Sequence, residues 1–256
     1  MGTLLNRGIA SFRKKSKERE SQFKQSFVYL RDDGERARIR FLSDADSDFV
    51  HGVFHRQFTG NKLSDPVLCL NDSDTIPEGI EETECRLCAL KDATARQMFF
   101  AWVYVYHILH PHQNPRLDED ATAPHWEPVK LGNRTMFKQN VGQVRMLLGG
   151  KKMLDSIVGL HEELGGLLET DFSFIRSGIR KSSDTTYSFV PAKSVTKPDE
   201  KVTEAIKTLP DLEAEALAFT LTYYSAPVAE AGAEEAAPYE EEEVVGAGAD
   251  EDFADI

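Results

Sequence analysis

Residues 99–109 read FFAWVYVYHIL. A short apolar run this rich in aromatic and β-branched residues predicts a β-strand. Its alternate positions are Phe99, Ala101, Val103, Val105 and His107 on one face and Phe100, Trp102, Tyr104, Tyr106 and Ile108 on the other. The first face reads as core. The second is densely aromatic and has two readings. The strand is buried on both sides, or the face is open and unpaired bases stack on it, each worth roughly 1–3 kcal/mol.

Hairpins flank this strand. FVYLRDDGERARIRFLSD, residues 27–44, predicts one about the turn Asp32-Asp33-Gly34, with Ala37, Ile39 and Phe41 facing inward. Arg36, Arg38 and Arg40 then form a row on the opposite face, suited either to solvent or to a phosphate backbone. WEPVKLGNRTMFKQ, residues 126–139, turns at Gly132-Asn133 and mixes Arg134, Phe137 and Lys138. FSFIRSGIRKSSDTTYSFVP predicts strands over 171–177 and 185–191, with Arg176, Arg180, Lys181 and Tyr187 interleaving charge and aromatics. ALKDATARQ predicts a short helix, and the spacing of Val144, Leu147, Leu148, Leu154, Ile157 and Leu164 predicts helix across 141–168, broken at Gly149-Gly150. Short helices follow over 198–219.

The cysteines Cys69, Cys85 and Cys88 fall between residues 49 and 88, with His51 and His55 upstream. Cys85 and Cys88 form a CxxC knuckle, a loop that brings two thiolates to one metal ion. If 49–55 and 65–70 pair about Gly60, His51 lies opposite Cys69 and a closed Cys3His zinc site results, structural rather than catalytic. His55 shares the strand face of His51 and competes as fourth ligand. A CxxC also serves as a redox pair, and an isolated cysteine packs as a small hydrophobe. Asp44, Asp46 and Asp48 lack the glycine and distal glutamate of a calcium loop and read as a polar loop.

Charge is unevenly spread. The net charge is -13, yet residues 226–256 hold acidic residues and no basic ones. Without that tail the chain is close to neutral, and residues 1–41 are basic. This asymmetry favours polyanion binding, with the tail as competitor or docking arm. No apolar leader or membrane-spanning run stands out, and the low, odd cysteine count fits a reducing compartment; the reading is cytoplasmic, with no membrane partner. The fold class expected is β-rich α+β: an OB-fold-like Greek-key barrel with an inserted zinc module, short helices and a disordered acidic C-terminal tail. The expected organisation is a basic arm (1–26), a core (27–225) with the zinc-binding insertion at about 49–90, and the tail (226–256).

SFRKKSK (residues 11–17), ERARIRFLSD with FVHGVFH and the three cysteines, DFSFIRSG with DTTYSFVP, and the DEDFADI end follow one another in this order. In that order the chain resembles the single-stranded DNA-binding proteins of tailed bacteriophages, the T-even helix-destabilising type. The gap from Cys69 to Cys85 is longer than in the T-even pattern. The resemblance implies one structural zinc ion held by His51, Cys69, Cys85 and Cys88. It implies no enzymatic chemistry, but cooperative coating of single-stranded DNA in phage replication, recombination and repair, in the host cytoplasm. Arg36, Arg38, Arg40, Arg134, Lys138, Arg176, Arg180 and Lys181 would then meet phosphates, and Trp102, Tyr104, Tyr106, Phe137 and Tyr187 would stack on bases. Arg13, Lys14, Lys15 and Lys17 would make protomer contacts along the DNA, and the tail would recruit replication or recombination proteins. The alternative class is a zinc-stabilised, non-enzymatic scaffold of the replication machinery.

Overall fold

The structure is a computed structural model that describes residues 27–225 apart from 57, 60–61, 74–75, 91–92, 113–125, 179–184, 193–197 and 199. The arm residues Arg13, Lys14, Lys15 and Lys17, the loop residues Arg180 and Lys181, and the acidic tail lie outside the described residues. In chain order the elements are β1 (Arg36–Phe41), β2 (Val50–Arg56), β3 (Phe58–Thr59), β4 (Lys62–Leu63), β5 (Val67–Leu68), β6 (Thr94–His110), β7 (Glu127–Leu131), β8 (Arg134–Gly150), α1 (Lys151–Leu164), β9 (Asp171–Ser177), β10 (Thr186–Pro191), α2 (Glu200–Lys207) and α3 (Leu212–Ser225).

The spine is β6, the strand predicted from FFAWVYVYHIL and longer than that run. Along one edge it pairs with β8, from Met98↔Gly150 to His110↔Phe137. Its other edge is shared by β2, from Val50↔Phe100 to Arg56↔Thr94, and β1, from Arg36↔Leu109 to Phe41↔Val103. β1 and β2 therefore act as one interrupted strand. The interruption is sealed where Leu42 N–H reaches the Trp102 carbonyl (2.9 Å) and Trp102 N–H reaches Ser43 Oγ (3.0 Å). β9 takes the free edge of β1, and β10 pairs with β9. Every one of these ladders is antiparallel, and the order across the sheet is β10-β9-β1-β6-β8, with α1 between β8 and β9.

Both faces of the spine are core. Phe99, Ala101, Val103, Val105 and Ile108 pack with Ala37, Ile39, Phe41, Leu147, Phe172, Phe174, Phe189 and Ile157 of α1. Phe100, Trp102 and Tyr104 pack with Phe54, Met146 and, from α2 and α3, Val202, Leu212, Ala216 and Phe219. Full burial of a large apolar side chain is worth about 1.5–3 kcal/mol, so these helices are an integral layer of the fold. The aromatic face of β6 is thus a second core, and Trp102 Nε1–H donates to the Pro210 carbonyl (3.1 Å).

The β7–β8 hairpin turns at Gly132-Asn133 as expected, with Leu131↔Arg134 paired and Gly132 at φ +59. The β9–β10 hairpin forms as well. Three expectations are corrected. Residues 27–30 do not pair with β1, because β6 and β9 already occupy both of its edges. Instead Phe27 bridges Met146, and its ring stacks on Phe219. The helix expected at ALKDATARQ is a short 3-10 turn over Arg86–Ala89, followed by the start of β6, which extends to meet β2. Residues 141–150 are strand, and the helix begins only at Lys151. There Leu147 enters one core and Met146 the other, which hides the two-residue period. Gly142, at φ +60, adds a bulge opposite the register break between Val105 and His107. At Gly149 a Cβ would sit 2.5 Å from the Phe99 ring, so glycine lets the strand end close to the spine.

Candidate metal centre and the outward sheet face

The cysteine stretch folds onto the edge of the sheet. β5 pairs with β2 through Phe54↔Leu68 and His55↔Val67, and Cys69 N–H donates to the Val53 carbonyl (2.8 Å). Strand alternation puts His55 and Cys69 on one face as diagonal neighbours. Cys69 opens one 3-10 turn (Leu70–Asp72) and Cys85 opens another (Arg86–Ala89). Asn71 Oδ1 accepts Cys85 N–H at 2.9 Å and ties the two turns together.

These turns gather His55, Cys69, Cys85 and Cys88 so that one ligand atom from each lies within 4.8 Å of the others. Cys69 Sγ is 3.5 Å from Cys88 Sγ, and Cys88 Sγ is 3.4 Å from His55 Nε2. A disulfide would need a sulfur separation of about 2.05 Å, and the cysteines are free thiols. A tetrahedral ion with metal–sulfur bonds of about 2.3 Å and a metal–nitrogen bond of about 2.0 Å sets edges of about 3.8 and 3.6 Å. The observed edges are close to these. His55 Nδ1 lies 3.1 Å from the Ala93 carbonyl; an Nδ1–H donated there leaves the Nε2 lone pair for a metal. The cluster can hold a metal ion, with four groups placed to ligate it.

The buried thiols differ in their electrostatics. Burial, with hydrogen bonds from the thiol to Cys88 and to the Asp72 carboxylate, pushes Cys69 up to about 12. At Cys85 burial acts upward too, but the Tyr224 hydroxyl and backbone hydrogen bonds from Leu70, Cys88 and Leu87 outweigh it and lower the thiol. A cation entering the cluster displaces the remaining thiol protons, so metal affinity falls as pH falls.

His51, expected as the fourth ligand, is not part of this cluster; His55 is. His51 is exposed and pairs with Phe99, while Cys69 lies against Val53. The β2–β5 register is offset from a hairpin centred on Gly60, and the offset brings His55 to the cluster. His55→Ala is expected to abolish stoichiometric metal binding and His51→Ala to leave it intact, as read by native mass spectrometry. The reverse pattern would refute the register.

The arginine row divides. Arg40 is buried, and its Nε donates to Asp171 Oδ1 at 2.6 Å; Arg38 Nη2 meets Asp171 Oδ2 at 2.9 Å, and Tyr106 Oη donates to the same carboxylate at 3.2 Å. Arg40 is therefore a structural ion pair, not a phosphate contact. Arg176 is also buried, donating to the Gly178 carbonyl and Thr185 Oγ1, and it shapes the base of the β9–β10 loop. Trp102 and Tyr104 are 7% and 3% exposed beneath α2 and α3, which removes them as stacking platforms. Tyr106 and Phe137 are half-buried; so is Tyr187, whose ring stacks on Phe174. Arg134 is exposed at the β7–β8 turn.

The strand register brings together a set of groups that sequence reading did not connect. Arg36 and Lys138 flank Leu109, while Arg38 and Asn140 flank His107, across β1, β6 and β8. Burial, then the charges of Lys138 and Arg38, lower the half-buried His107 to about 4. The Nε of Arg36 is buried without a hydrogen-bond partner among the described residues. Cations thus converge on the outward face. The alternation of the strand predicts His107 on the core face; the bulge between Val105 and His107 turns it outward instead and puts Ile108 in the core.

Two other groups are structural. Asp44 and Asp48 hydrogen-bond the backbone of their own loop. His110 Nε2 lies 2.7 Å from Asp32 Oδ2, and the Glu35 carboxylate caps the amides of Arg31 and Asp32, tying the 31–35 turn to the end of β6. No family profile and no curated protein matches the chain. Among the described residues, no helix is long and apolar enough to cross a membrane.

Proposed function

We propose that this chain is a single-stranded DNA-binding protein built on an OB-fold, with a structural zinc ion at His55, Cys69, Cys85 and Cys88. The observation that carries the reading is the strand order β10-β9-β1-β6-β8 with α1 between β8 and β9, which places a cationic face on the central strands. With β1 and β2 taken as one interrupted first strand, this order supports a five-stranded OB-type plan with a helix between its third and fourth strands. OB-folds bind oligonucleotides on the second and third strands and on the loops between strands one and two and between four and five. Here those are β6 and β8, the metal module and the loop containing Arg180 and Lys181.

Arg36, Arg38 and Lys138 neutralise phosphates, joined by Arg134, Arg180 and Lys181. With Trp102 and Tyr104 buried, and Phe137 and Tyr187 packed against the core on the α1 side, stacking on this face falls to Tyr106, which confers affinity with little sequence preference. Zinc staples the module next to this face and takes no part in chemistry; the protein is not an enzyme. The basic arm, through Arg13, Lys14, Lys15 and Lys17, links protomers along the DNA. The acidic tail competes with DNA and recruits replication, recombination or repair proteins. The setting is the cytoplasm of a phage-infected cell.

The test is the anisotropy of labelled oligo-dT over a salt series. Each phosphate contact on single strands contributes about 0.7 to the slope of log affinity against log salt. Arg36→Ala and Lys138→Ala are each expected to make the slope shallower by about that amount. Slopes unchanged in both variants would count against the assigned face.

A further inference from the structure

We propose that Tyr224 is a positioning residue of the metal centre, and that metal occupancy fixes the last turn of α3, from which the acidic segment continues. This rests on the metal-centre reading above.

The helix is anchored in two separate places. Its first turns, through Leu212, Ala216 and Phe219, belong to the core that also holds Phe100 and Trp102. Its last turn belongs to a different cluster, in which Tyr224 packs with Val67, Cys69, Leu70, Cys85, Leu87 and Ala93. Thr220 and Tyr224 are four residues apart and share one side of the helix. Thr220 Oγ1 accepts Leu68 N–H at 2.8 Å, and the residue after Leu68 is Cys69. Tyr224 Oη donates to Cys85 Sγ at 3.5 Å, and the Arg86 guanidinium lies 5.3 Å over the Tyr224 ring. One side of α3 therefore touches the strand leading into Cys69 and the turn that carries Cys85.

Groups that hydrogen-bond metal ligands orient them, and their loss costs roughly 10–100-fold in metal affinity. Tyr224 is such a group, although it lies far from the cysteines in sequence. Coupling runs both ways: a helix turn that stabilises the metal site is itself stabilised when the metal is bound. The sheet-side anchor does not depend on the metal, so its loss releases the last turn and leaves the rest of α3 in place.

The test uses the full-length protein and Tyr224→Phe, which keeps the ring and removes only the hydroxyl. Chelator competition is expected to give zinc affinity at least about tenfold weaker in the variant. The thiolate-to-metal charge-transfer band of the cobalt-substituted protein is expected to shift. In the wild-type protein, chelation is expected to speed amide exchange over residues 220–225 while 216–219 stay protected. Zinc affinity within twofold of wild type, an unshifted cobalt band, or exchange over 220–225 that ignores chelation would each overturn this role. A wild-type protein that takes up no zinc would overturn the metal centre as well.

Discussion

Removing the metal, or replacing Cys85 with serine, is expected to lower the melting temperature of the full-length protein by about 8–16 °C. An ion present at a thousandfold its Kd contributes about 4 kcal/mol through linkage, and for a chain of this size each kcal/mol moves the midpoint by about 2–4 °C. The cost falls on one region first. Cys69, Cys85, Leu70, Leu87 and Ala93 form a cluster separate from the two cores on either face of β6. Without the ion, that cluster keeps a buried Cys69 thiol held up to about 12, and its turns rest on Asn71, on Tyr224 and on a few apolar contacts. The module is therefore expected to loosen before the sheet melts, giving a broadened or two-step calorimetric transition. A single transition at an unchanged temperature, with and without chelator, would show that the cysteines are only packing.

Asp171→Asn is expected to cost about 3–5 kcal/mol, because it strips the partner from an arginine out of reach of water. The Arg40 side chain is 1% exposed and that of Asp171 5%. Arg38 and Tyr106 share the carboxylate, so its charge is fully used. Asparagine keeps the shape but loses the charge and one acceptor oxygen. Urea unfolding should show a lower midpoint with little change in slope. Replacing both partners, as Arg40→Met with Asp171→Leu, should recover much of the loss, since a buried ion pair costs more to break than to replace with apolar packing. A loss below about 1 kcal/mol for Asp171→Asn would mean that the pair is screened by solvent.

What sequence reading captured was local. The spine strand, the Gly132-Asn133 turn and the β9–β10 hairpin each depend on neighbouring residues and emerged from pattern and turn chemistry. The cysteine grouping was also legible, because a CxxC knuckle is a short-range motif. What escaped reading depends on long-range register. His51 and His55 share a strand face, so the two-residue period cannot choose between them; the pairing of β2 with β5 does. The alternation puts the arginines on one face of β1, as the structure does, but the partner of Arg40 lies 131 residues further along the chain. Whether the aromatic face of β6 stays open depends on α2 and α3, which arrive last and cover it. The last part of β8, residues 141–150, reads as helix because Met146 and Leu147 are buried on opposite faces, which removes the alternation that marks a strand.

The most direct measurement is equilibrium binding of the full-length, zinc-loaded protein to oligo-dT and to a duplex of equal length at the same salt concentrations. Anisotropy of labelled DNA is the suitable signal, since Trp102 and Trp126 are both 7% exposed and poorly placed to report stacking. The expected result is preferential single-strand binding, with affinity falling steeply as salt rises. Equal affinity for duplex and single strand, or no binding to either at low salt, would contradict a single-stranded DNA-binding function and leave a metal-stapled interaction scaffold in its place.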